Sequence, residues 1–371
     1  MELEKILEKI DLELKNKLTL DELNSFEDEL QKLEVKIKNN HKIYYYLGEI
    51  NYLKLQLEEA IYYFKKSFSI NNFYNNVKDK ITKLEKEKFE LLTYLTFFNP
   101  TIQNPNSIII ANKDLQKIKY NFNPQNKIED NFISQIYSKI KDELVKKNID
   151  HNLRYSQTFR EEELKYQCSR HHEVFFKYNA IPKYCFDCYK IQINPRNVLE
   201  LLKLYFVFDN LNFKKKLFRK CMVELRKNIK GTYKGLIYCV GLEEAELAYQ
   251  HIKEILFKTI NKDIPLIIKR GCAEFTIAYP NYGHIDPKHK DFMNYDNNWI
   301  KYEELVDNDP LLNFPKNIEE KSLSGITLRD ALVINNWLYY AKSIGDDTYK
   351  VISSDPIYSE YIEEKLSIKS Y

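Results

Sequence analysis

The sequence predicts an α+β fold: a helical N-terminal module, a Cys/His-rich segment, an antiparallel ββαβ layer and C-terminal helices. Three observations carry that expectation. Apolar side chains recur at helical spacing in the first third, two close Cys/His pairs fall in residues 168–188, and strand-like runs flank one amphipathic helix over 221–280. Only 8 Gly and 11 Pro interrupt 371 residues, which favours long elements and few tight turns. Hydrophobic residues at 44% exclude wholesale disorder and allow two or three domains with cores.

Four regions follow. Residues 1–97 read as helical, 98–160 as linker and helix, 161–280 as a metal-stapled α+β domain, and 281–371 as mainly helical. In the first, Leu3, Ile6, Leu7 and Ile10 form one amphipathic stripe, and a break is expected near Lys17-Leu18-Thr19. Tyr44, Leu47, Gly48, Ala60, Phe64 and Ser67 then stand at the spacings of a tetratricopeptide repeat, and residues 43–72 resemble one such repeat. The pattern departs at Asn51, where tyrosine is usual, and at Asn72, where proline is usual. No second copy lies one period away, so the resemblance implies a helix–turn–helix capped by helices 20–39 and 74–97. It points to scaffolding and a protein partner ahead of peptide capture.

Asn-Pro steps at 99–100, 104–105 and 123–124 mark a boundary, with Ser107–Ala111 as a short buried strand and helix resuming over 128–148. The cluster that follows is the most specific chemical signal. Cys168-Ser-Arg-His171 and Cys185-Phe-Asp-Cys188 are separated by 13 residues, the spacing of zinc ribbons and related sites. The expected set is Cys168, His171, Cys185 and Cys188 holding a structural zinc ion, with His172 also within reach. Val174-Phe-Phe and Tyr189–Ile193 would be the flanking strands. A redox dithiol or plain buried thiols are the competing readings.

Pro195 opens a helix from Val198 to about Leu211. Strands are expected at Cys221–Arg226, Thr232–Val240, Ile264–Lys269 and Glu274–Tyr279, with a helix at Leu242–Lys258. Residues 201–280 hold 15 Lys and Arg against 8 Asp and Glu, although the whole chain carries only +3. Lys214, Lys215, Lys216, Arg219 and Lys220, with interleaved aromatics, form a candidate anion- or RNA-binding surface. A solvated strand edge would look the same. His284 and Asp286, with Glu274 on the preceding strand, are the weak candidates for acid–base chemistry. Thr327-Leu-Arg-Asp330 resembles a capping box opening a helix, and a last helix is expected near 356–367.

No run of 18 apolar residues exists and the first residues lack the apolar core of a secretory signal. Six cysteines are sparse for a disulfide framework. A cytoplasmic, reducing location is therefore expected. The function expected first is an accessory or scaffold protein with a structural zinc site and a macromolecular partner. An enzyme acting on a phosphorylated or nucleotide-linked substrate, or a nucleic-acid binder using the basic sheet, stand as alternatives.

Overall fold

The computed structural model describes residues 2–14, 18–54, 56–84, 107–121, 123–149, 153–160, 166–211, 217–226, 228–309, 312, 324–354 and 357–367. These fall into two compact units, the first ending at Ala111 and the second running from Asn112. Mixed helix and antiparallel sheet make the chain α+β, with helices at both ends. Among the described residues no helix is long and apolar enough to cross a membrane.

The first unit is rich in helical hairpins. Thr19 starts the Leu20–Lys36 helix with a capping box, its hydroxyl accepting from Glu22 N while the Glu22 carboxylate accepts from Thr19 N. Helices His41–Leu53 and Leu57–Ile70 then pack as an antiparallel pair. Their close approach depends on Gly48, since a Cβ there would stand 2.7 Å from the Phe64 ring. Asn51 is buried and donates to Leu47 O and Glu27 Oε1, both at 2.9 Å, so an amide occupies the position where the repeat pattern has tyrosine. This region is compatible with a repeat-like helical module.

In the second unit five strands form one antiparallel sheet: β1 (Gln157–Arg160), β2 (Cys188–Ile193), β3 (Arg219–Val223), β4 (Tyr233–Val240) and β5 (Leu266–Arg270). Their spatial order is β1-β3-β4-β2-β5. The helices Val198–Asn210, Leu242–Thr259 and Leu328–Ile344 pack on this sheet. Gly235 allows the first of them close, because a Cβ at that position would meet Leu204 Cδ2 at 2.3 Å. Thr327 and Asp330 form the expected capping box, and Gly345 ends that helix in the left-handed conformation at φ +81°.

A buried polar network locks β1 to these helices. Arg160 pairs with Asp209 and with Asp330 at 3.1 Å, and also donates to Tyr205 Oη and Gly325 O, each at 2.8 Å. With one face so covered, the other face carries, among the described residues, a cleft, and Lys190, Gln192, Lys220, Met222, Lys234, Leu236, Tyr238 and Lys269 point into it at every second position of their strands.

Three expected strands are helices. Ser107–Leu115 is helical, with Ile108, Ala111, Asn112 and Leu115 buried at helical spacing. Val174–Phe176 lies inside helix Cys168–Tyr178, whose buried residues His171, Val174 and Phe175 stand at i, i+3 and i+4. The Cys168 pair therefore sits on a helix, not on the strand-flanked turn of a zinc ribbon. Glu274–Tyr279 falls mostly in the short helix Ala273–Ala278, where Phe275 alone is buried. In each case tertiary burial outweighs β-propensity. Strand β1 was not expected from sequence.

Candidate metal centre and the open sheet face

Four cysteines from distant parts of the chain line one small cavity of about 10 Å³, together with His171, His172 and Lys190. Cys168 opens its helix, Cys185 lies in the 3-10 turn Lys183–Phe186, Cys188 begins β2, and Cys272 caps the helix that follows β5. Backbone bonds hold these positions in place. Gly271 N donates to Cys188 O at 2.7 Å, which ties the end of β5 to the start of β2. Tyr282 Oη donates to Cys185 O at 2.6 Å and packs so tightly on Gly271 (φ +53°) that a Cβ there would overlap it. None of the six cysteines forms a disulfide.

Their electrostatics differ. Burial pushes Cys185 up strongly and Cys188 up to about 12. Burial would raise Cys272 as well, but Lys190, whose Nζ stands 3.1 Å from its Sγ, together with His172 brings it down to about 6. His171 stacks on Tyr184 with ring centroids 5.2 Å apart, and burial beside Arg170 lowers it to about 4, so it is neutral at pH 7. His172 hydrogen-bonds Cys272, while its Nδ1 is buried with no partner among the described residues.

The cavity closes one end of a much larger cleft on the open face of the sheet, about 830 Å³, which Cys168, His172, Lys190 and Cys272 also line. Eight lysines and arginines line that cleft against two glutamates. Lys190 and Lys269 are paired residues on β2 and β5, and Lys190 faces Tyr238 across β4 with Nζ 4.6 Å from its ring. Burial, with Lys190 beside it, lowers Lys269 from its ordinary 10.5 to about 8. Lys234 pairs with buried Glu224 at 2.8 Å, and Lys220 bonds Gln157 Oε1 at 3.0 Å.

Of the candidate anion-binding residues, Lys220 lies in the cleft. Arg219 points to the helical side, donating to Phe208 O at 2.7 Å, and Lys214, Lys215 and Lys216 lie outside the described residues. The acid–base candidates separate. Glu274 lines the cleft in an ion pair with Arg226, whereas His284 stacks on His289, centroids 3.9 Å apart, and Asp286 is exposed. Among the described residues, His284, His289 and Asp291 form the group whose ligand atoms all approach within 4.8 Å; the thiols around the cavity are more widely spread. His289 and Asp291 are exposed, as acidic loop groups commonly are without a metal.

Sequence reasoning overlooked Cys272, Lys190 and Lys269. Lys190 and Lys269 follow the period-2 alternation of β2 and β5, a signal that was available; Cys272 lies 84 residues beyond Cys188 and had none. Comparison with protein-family models, curated proteins and solved structures gave no match.

Proposed function

We propose that the second unit binds a small anionic ligand, phosphorylated or nucleotide-linked, on the open face of its sheet, within an accessory protein whose first unit docks a protein partner. One observation carries the reading: Lys190, Lys220, Lys234 and Lys269 project from four neighbouring strands into a single cleft. Cations gathered at low exposure cost self-repulsion and desolvation, and an anion bound among them offsets both. Tyr238 and Phe218 pack on each other beneath the same cleft, ring centroids 4.9 Å apart, and form its apolar floor. Its size is that of a small-ligand site. The hairpin built on Gly48 and Phe64 supports the scaffold part, and six cysteines outside any disulfide suit a reducing, cytoplasmic setting.

Titration calorimetry with ATP, pyrophosphate and a single-stranded RNA tests this. ATP or pyrophosphate should bind, and Lys220→Ala/Lys269→Ala should weaken binding at least about tenfold, or about 1.4 kcal/mol. Binding of RNA alone, with a steep salt dependence, would replace this reading by a nucleic-acid one. No binding of any of the three would overturn it.

A further inference from the structure

The cavity at the end of the cleft collects four of the chain's six cysteines, and they come from a helix start, a 3-10 turn, a strand start and a strand exit. We propose that Cys168, Cys185, Cys188 and Cys272 bind one zinc ion as thiolates, with Cys272 in the place that spacing alone assigns to His171. Four sulfurs suit tetrahedral zinc and close its shell, so the ion is structural. The void has room for about one water-sized sphere, which suits a single ion. Since the sulfurs line it more widely than a bonded shell, zinc draws them inward.

Charge provides the second argument. Lys190 is 4% exposed and, among the described residues, has no carboxylate at ion-pair distance. A buried cation needs a buried anion. Zinc with four thiolates carries a net charge of minus two, and Lys190 against Cys272 offsets part of it. His172, hydrogen-bonded to Cys272, acts from outside the shell as a positioning residue. His171 instead stacks flat on Tyr184. Each thiol still protonated gives its proton to solvent on binding, so uptake of zinc acidifies an unbuffered solution.

The test uses the full chain, freed of metal and then loaded with zinc, without any anionic ligand. Metal analysis should give about one zinc per chain for the wild type and for His171→Ala, and none retained by Cys272→Ser. His172→Ala should keep zinc with affinity lowered about 10- to 100-fold, read by competition with a chromophoric chelator. Because Cys272→Ser can fail to fold, cobalt replaces zinc in the wild type as a second readout. Sulfur-to-cobalt charge transfer at the intensity of four thiolates, with tetrahedral visible bands, supports the assignment. A wild type that takes up no zinc overturns it. So does zinc lost from His171→Ala but kept by Cys272→Ser, or a cobalt spectrum with fewer than four sulfurs.

Discussion

On the helix-covered face of the sheet, buried cations meet protein acceptors. Arg160 is held by Asp209, Asp330, Tyr205 and Gly325, and Arg219 by Phe208 O. On the cleft face Lys190 stands against the Cys272 sulfur and the Tyr238 ring, and among the described residues neither it nor Lys269 has a carboxylate at ion-pair distance. Both faces hold positive charge at low exposure; the covered face matches it with acceptors from the helices, and the cleft matches only part of it, Lys234 with Glu224 and Lys220 with Gln157. The difference follows from what packs above. Helices bring carboxylates and carbonyls to Arg160 and Arg219, whereas in the cleft Glu274 acts on Lys269 only from beyond ion-pair distance.

The comparison breaks most sharply at Arg160. Arg160→Met leaves Asp209 and Asp330 buried without their partner, and denaturant unfolding followed by Trp337 fluorescence should show a loss of about 3–5 kcal/mol. A stability change below 1 kcal/mol would mean that the covered face does not depend on its cations. Next in size, Gly235→Ala forces Leu204 away from β4 and should cost about 1–3 kcal/mol in the same assay. On the open face the expected pattern reverses. Lys220→Ala should move stability by no more than about 0.5 kcal/mol, while its effect is read in ligand affinity.

The pH dependence sharpens the comparison further. Lys269 releases its proton near pH 8 when folded but near 10.5 when unfolded. Between those values the unfolded chain holds the extra proton, so stability rises with pH across that window. Below about pH 8 both states are protonated and the penalty of the buried charge is constant. Lys269→Met should be more stable than wild type at pH 7 and should lack the rise. Unfolding curves at pH 7, 9 and 10.5 check this, and a rise that persists in the variant assigns it elsewhere.

Much of the architecture was legible because its signals are local. The Thr19 and Thr327 capping boxes, the amphipathic helices and the alternation of β2 to β5 depend on neighbours a few residues away. Two errors came from the same source: Ile108–Ile110 and Val174–Phe176 carry strand-forming residues, yet their buried positions repeat at helical spacing once a core exists to meet them. The short strand β1 is four residues of unremarkable composition, placed by pairing with β3.

The Cys/His cluster shows where the division lies. Sequence by itself determined that Cys185 and Cys188 would stand near one another, since a three-residue step limits how far a chain can separate them, and it offered Cys168 as their partner. Tertiary structure alone decided that Cys272 joins them, by pairing β5 with β2 and bonding Gly271 to Cys188. The same pairing set Lys269 beside Lys190 and so made the cationic cleft. Contacts across 80 residues are fixed by sheet order, and sheet order is a property of the whole core rather than of any segment.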